Sequence, residues 1–172
     1  MSKNHLFRLF VYGTLKRGYW NHEAFCSEAV SIQEATVRGR LYELPSGIPV
    51  LLVPEEDILA VGTTDPLADF ATQLHFVAGL TNPEPTSDWL LRNASSAPWI
   101  TVCGELLTFD DPENCIPAID RLEGLCPAGT SLYQRVLVPV RLSDGGVTTA
   151  WCYISSSQTL QSARATDKTM WP

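Results

Sequence analysis

The sequence predicts an α+β protein built on a mixed, barrel-like β-sheet with a few helices and a helical insertion in the middle. Three observations carry that expectation. Apolar and polar residues alternate through residues 35–44 and 99–109, each run centred on a glycine, Gly39 or Gly104, which is the pattern of a half-buried strand that bends. Ser143-Asp144-Gly145-Gly146 separates two more strand-like runs as a hairpin turn would. Helix-prone stretches fall between the strands rather than alternating regularly with them.

Taken in order, residues 7–12 form an apolar run that reads as a buried first strand ending sharply at Gly13. Residues 35–44 form a strand with a bulge or bend at Gly39, and Pro45-Ser46-Gly47 turns into the apolar run 48–53. Residues 55–80 are helix-prone, with Asp65-Pro66 as a start and Leu67, Phe70, Ala71 and Leu74 near the helical period. Residues 81–98, rich in Pro, Ser, Thr and Asn, read as an irregular connector. After the strand 99–109, a second helix is expected from Asp111-Pro112 towards Glu123, with Ile116, Ile119 and Leu122 facing inward. Pro117 requires either a place in the first turn or a later start. Residues 133–142 and 147–154 flank the hairpin turn, giving at least six strands, and the polar tail after Ser155 is expected to be loosely held. One domain over residues 1–172, with an insertion at about 55–98, is the economical division.

Composition narrows the function classes. The 172 residues are 45% hydrophobic and 18% charged, with a formal net charge of -7, which suits a packed domain. That balance argues against broad contact with nucleic acid or anionic membrane, because Lys16-Arg17 is the sole basic pair. No apolar run approaches the ~20 residues of a membrane helix, and no signal peptide is evident. Cys26, Cys103, Cys115, Cys126 and Cys152 are scattered without a C-x-x-C pair, and His5, His22 and His75 lack ligand spacing. The expectation is a cytoplasmic protein with free thiols and no structural metal.

The octet Val11-Tyr12-Gly13-Thr14-Leu15-Lys16-Arg17-Gly18 is the most informative stretch. Physically it reads as a strand exit whose turning amides leave the sheet and form a concave receptor for an anion or carbonyl, or as an ordinary strand exit and charged surface turn. Asn21-His22 follow shortly after. Further on stand Val102-Cys103-Gly104-Glu105-Leu106-Leu107, Ile119-Asp120-Arg121-Leu122-Glu123-Gly124, Tyr133-Gln134-Arg135-Val136 and Ala150-Trp151-Cys152-Tyr153. In this order and spacing the chain resembles the gamma-glutamylcyclotransferase-like family, which includes gamma-glutamylamine cyclotransferases and plant avirulence-induced proteins. The likeness covers roughly residues 7–54 and 99–155. It leaves 55–98 unexplained, and the gap between Glu123 and Tyr133 is longer than in compact members.

The resemblance implies a cofactor-independent enzyme, a transferase or lyase by class, acting on a small-molecule gamma-glutamyl substrate. The substrate's alpha-amine attacks its own gamma-carbonyl, 5-oxoproline forms and the attached amine leaves, with the motifs closer to the gamma-glutamylamine branch. Glu123 is then the general acid/base, its acidity weakened by apolar neighbours. The amides of Gly13, Thr14 and Leu15 hold the substrate's carboxylate or carbonyl oxygen, so Glu123 is expected in a concave pocket facing them. Tyr12 is either a core aromatic or a wall of the site, and Tyr133 either a core residue or a donor to substrate. Arg135 either pairs with Asp120 or meets solvent, and Glu105 and Asp120 are supporting acids. Cys126 has no histidine placed to activate it as a nucleophile. The alternative is a binding module that keeps fold and pocket without turnover; the sequence leaves the oligomeric state open.

Overall fold

The computed structural model describes residues 6–80, 99–125 and 131–172. In chain order the elements are β1 (Phe7–Val11), α1 (Trp20–Phe25), β2 (Ser31–Glu43), β3 (Pro49–Leu52), a 3-10 turn (Glu55–Asp57), β4 (Ala60–Val61), α2 (Pro66–Leu80), β5 (Ile100–Phe109), α3 (Pro112–Leu122), β6 (Tyr133–Leu142), β7 (Val147–Ser155), α4 (Ser157–Ser162) and β8 (Arg164–Ala165). The sheet runs β3-β2-β5-β1-β7-β6-β4, and an extra β2–β6 pairing closes β2, β5, β1, β7 and β6 into a ring. The fold is therefore mixed α+β, a closed five-stranded barrel with added strands and four helices among the described residues. All pairings are antiparallel except that of β1 with β7.

Period-two alternation assigns the two faces of the barrel wall. Phe10, Val37, Val102, Leu106, Val138 and Cys152 belong to one buried cluster, drawn mostly from the barrel strands and joined by Leu51 of β3 and Val53. Phe7, Leu9, Leu107, Leu137 and Trp151 alternate with them and pack with Ile116 and Ile119 of α3 and, partly buried, Phe70 and Phe76 of α2. Both faces of β1 are covered, which is why its five residues are all buried and the run is apolar throughout. Gly104 fills a tight place in the wall: a Cβ there would lie 2.3 Å from the Val11 carbonyl oxygen and 2.6 Å from the Phe10 ring.

Several expectations need correction. The β2–β5 register runs unbroken from Ser31↔Thr108 to Gly39↔Ile100, so Gly39 marks no bulge there; β2 changes partner at that point and pairs with β3 from Arg40 onward. The stretch 55–80 is not one helical region, since the 3-10 turn and β4 precede α2. Asp65 does start the helix, its Oδ1 accepting from the amides of Leu67 (3.0 Å) and Ala68 (3.2 Å). Its buried positions are the polar Asp69 and Gln73, whereas Leu67 and Ala71 are exposed. Helix α3 runs straight through Pro117; the lost amide bond falls just one turn in, where it would have reached the exposed Glu113. Ile116 and Ile119 are buried as expected, but Leu122 is 37% exposed.

The tail is held rather than loose. Ala165 pairs with Tyr42, the Thr166 amide donates to the Leu41 carbonyl (3.0 Å), and the Thr169 carbonyl accepts from the Cys103 amide (2.7 Å). The sequence also gave no sign of α1. The expected connector at 81–98 and Cys126 lie outside the described residues. Among those described, no helix is long and apolar enough to cross a membrane.

Candidate active site

Where β1 leaves the barrel, a cavity of about 490 Å³ opens between the ends of several elements, a size typical of small-molecule sites. It brings together residues far apart in the chain: Tyr12, Gly13, Thr14 and Leu15 after β1, Glu123 at the end of α3, and Tyr133 at the start of β6. Tyr153 of β7, the turn Ser46-Gly47-Ile48 and Trp171 complete much of the wall.

The loop after β1 is pinned side by side with its neighbours. The Gly13 carbonyl accepts from the Lys16 amide (3.1 Å), closing a turn. Asn21 of α1 donates to Thr14 Oγ1 (2.8 Å), and His22 Nδ1 donates to the Leu15 carbonyl (2.8 Å), which places a proton on that nitrogen. Lys16 Nζ donates to the Trp171 carbonyl, and Arg17 donates through its amide (2.8 Å) and Nε (2.9 Å) to the Glu105 carboxylate. The amides of Gly13, Thr14 and Leu15 themselves meet no acceptor among the described residues. Fixed donors left unpaired beside a cavity are suited to an oxyanion or carboxylate, because they need no reorganisation to receive it.

Glu123 is placed by the way α3 ends. The Leu125 amide donates to the Asp120 carbonyl (3.0 Å) and the Gly124 amide to the Arg121 carbonyl (3.1 Å), the paired bonds of a Schellman end. Gly124 takes φ 71°, the left-handed conformation that glycine adopts without a steric penalty. Glu123 thus caps the helix and lines the cavity, and its carboxylate receives no hydrogen bond or ion pair from the described residues. Burial, and then the nearby Asp120 charge, push the carboxyl up from 4.5 to about 7. The negative end of the helix acts in the same direction.

Asp120 is held one turn back. It accepts from Arg135 Nε (2.9 Å) and Nη2 (3.1 Å) and from the Tyr153 hydroxyl (2.6 Å). Arg135 also donates to Asp69 (2.8 Å) and to the Thr63 carbonyl (3.0 Å), and its guanidinium lies over the Trp151 ring at 5.3 Å. Of the two alternatives for Arg135, the structure contains the pairing with Asp120. The tyrosine hydroxyls are also engaged: Tyr12 donates to the Tyr153 carbonyl (2.8 Å) and accepts from the Leu51 amide (3.2 Å), while Tyr133 donates to the Pro49 carbonyl (2.9 Å). Burial pushes the pKa of Tyr12, Tyr133 and Tyr153 up from the ordinary phenol value, so they are neutral at physiological pH. Among the described residues Glu123 is left as the group in the cavity wall able to exchange a proton near neutrality.

A family model described as "Gamma-glutamyl cyclotransferase, AIG2-like" matches residues 9–65 and 84–172. The chain belongs to that family. Among solved structures, this AIG2-like chain is similar to YkqA from Bacillus subtilis (20% identity, TM-score 0.52), covering 96% of this chain and 39% of that one. It therefore spans well under half of the Bacillus chain. An AIG2-like protein from Mus musculus matches at 18% identity and TM-score 0.50 over 98% of this chain and 89% of that one. A protein from Arabidopsis thaliana matches at 15% identity and TM-score 0.51, over 98% and 76%. At these identities the likeness speaks for the fold. No curated protein matches the AIG2-like chain in sequence.

Some of the wall was not anticipated from the sequence. Trp171 sits in the polar tail, where nothing local marks it as a site residue. Ile48 and Leu132 border turns and read as ordinary apolar neighbours. Asp69 carried a faint signal, since an acid and Gln73 four residues on share one helical face beside Phe70 and Phe76.

Proposed function

We propose that this chain is a cyclotransferase that releases 5-oxoproline from a gamma-glutamyl amine or peptide, with Glu123 as general acid/base. The observation that carries the reading is an unpaired carboxylate, raised to about 7, in the same cavity as the free amides of Gly13 to Leu15. Family membership supports a small-molecule substrate of this class.

The residues support a short sequence of events. The Gly13–Leu15 amides receive the substrate's alpha-carboxylate or the gamma-carbonyl oxygen, and the cavity keeps the glutamyl chain folded so that amine and carbonyl approach. Glu123, ionised, takes a proton from the alpha-ammonium. The freed amine attacks the gamma-carbonyl, a C–N bond forms, and the oxygen gains the negative charge. Glu123 returns a proton to the departing nitrogen, and the original amide C–N bond breaks. Of the three ammonium protons, one stays on the lactam nitrogen, one reaches the departing nitrogen through Glu123, and the third, shed by the ring nitrogen to the Glu123 carboxylate freed by that step, passes to the released amine, which leaves as an ammonium. A pKa near the working pH suits one carboxyl to both halves of this exchange.

The test is 5-oxoproline release from a panel of gamma-glutamyl amines and dipeptides by wild type and Glu123→Gln. Wild type is expected to turn over, and the variant to lose roughly 10²–10⁴-fold in kcat while still binding substrate. Ligand binding without release by the wild type would replace the enzyme with a binding module.

A further inference from the structure

The cavity has two unlike ends. Its floor is buried and polar-edged, with Tyr12, Tyr133 and Tyr153 all under a tenth exposed. Its exposed rim holds three large apolar side chains, Ile48 (48% exposed), Leu122 (37%) and Leu132 (53%), along with Ser46 and Gly47, and Trp171 lines the same cavity. Apolar side chains left in water around a pocket entrance mark a surface that gains by being covered.

Charge gives the second half of the argument. Among the described residues no Lys, Arg or His lines the cavity, and its sole acid is Glu123. Of the nearest cations along the chain, Lys16 donates to the carbonyl of Trp171 and Arg17 pairs with Glu105, and neither side chain lines the cavity. Residues 126–130 carry no charge in the sequence. The amides of Gly13 to Leu15 are the unpaired donors among the described lining residues, and the glutamyl part, through its alpha-carboxylate or its gamma-carbonyl oxygen, takes them up. Among the described lining residues a second carboxylate, as on a departing amino acid, would meet no cation to offset the hydration it gives up against the apolar side chains. A second ammonium would meet apolar side chains for the same penalty.

We propose that the mouth formed by Ile48, Leu122, Leu132 and Trp171 is a subsite for an apolar substituent on the departing nitrogen, so that the substrate is the gamma-glutamyl amide of an uncharged aliphatic or aromatic amine. The inference rests on the cyclotransferase reading for its orientation: the compact glutamyl part occupies the floor near Glu123, and the group of variable size points out. Trp171 provides a flat apolar wall from a segment fixed by the Lys16 bond and by ring contact with Tyr19 at 5.9 Å.

The experiment compares kcat/KM for gamma-glutamyl isopentylamide and phenethylamide with gamma-glutamylglycine and Nε-(gamma-glutamyl)lysine, and measures binding of all four to Glu123→Gln by calorimetry. The apolar amides are expected to lead by about tenfold or more in both measurements, the scale on which an apolar pocket discriminates. Trp171→Ala should reduce that lead, and Ile48→Lys, at an exposed turn, should improve gamma-glutamylglycine at the expense of the apolar amides. Equal or better use of the charged substrates, or no change of ranking in Ile48→Lys, overturns the subsite. Apolar amides that bind Glu123→Gln most tightly but are not cyclised by wild type would preserve the subsite and remove the cyclotransferase. Failure of all four to bind or react removes both.

Discussion

A carboxylate without donors is poorly solvated, and Glu123 carries that cost at neutral pH. Its folded pKa lies above the ordinary carboxyl value, so the sign of its linkage is opposite to that of a salt-bridged acid. Between pH 4.5 and about 7 the folded chain holds a proton that the unfolded chain has released. Stability from this group therefore falls as pH rises through that window, and the penalty is complete above it. Glu123→Gln is expected to raise stability by about 1–3 kcal/mol near pH 8, an increase of several degrees in Tm. The gain should vanish below pH 4.5. Thermal melts of both proteins across pH would check this, and an equal or lower Tm for the variant at high pH would mean the carboxylate is well solvated. Wild-type kcat/KM should rise with pH through about 7, as the base form appears. Glu123 as the proposed proton carrier was readable from its motif; its lack of partners among the described residues was not, because that depends on which groups β6 and β7 bring near it.

At the level of elements, the candidate site residues sit at ends. The unpaired amides of Gly13 to Leu15 follow the point where β1 stops pairing, and Glu123 stands where α3 stops winding. Gly124 makes the second end possible, since a residue with a Cβ pays about 1–2 kcal/mol for a left-handed conformation. Gly124→Ala is expected to lose stability on that order in urea titration, and to lower kcat more than it raises KM, because the carboxylate moves while the Gly13–Leu15 loop keeps its own clamps. A pure rise in KM would show that the helix end does not position Glu123. The turn sequence and the Pro-led start of α3 were legible locally; the exposure of Leu122 was not. A three-residue step from Ile119 predicts a core position, but the cavity opens at that point and leaves Leu122 in its mouth.

Across the whole molecule, a buried chain of charges ties three distant segments together. Asp69 from α2, Arg135 from β6 and Asp120 from α3 lie in line, and the Arg135 side chain is 0% exposed. Buried ions of this kind are costly to strand, because removing one partner leaves the other's charge uncompensated. Asp69→Asn is expected to destabilise the fold by on the order of 3 kcal/mol, visible as a lowered urea midpoint, while a fully folded variant of unchanged stability would rule out a structural role for the pair. Asp69 lies within residues 66–83, which the family model does not match, so α2 supplies from outside the shared pattern a support for the acid that sits beside Glu123.

Local order in the chain determined much of this protein. Period-two alternation gave the barrel strands, Ser143-Asp144-Gly145-Gly146 gave the β6–β7 turn, Asp65-Pro66 gave the start of α2, and the spaced motifs named Glu123 and the Gly13–Leu15 loop. These depend on neighbours a few residues apart, where backbone preference and burial pattern are written directly. Tertiary structure alone decided the closure of β2 on β6, the use of Asp69 beside Arg135, the docking of the tail that delivers Trp171, and the exposed apolar side chains at the rim of the cavity. Each of those depends on groups that are remote in sequence and adjacent only after the barrel has closed, so their energies have no local signature in the chain.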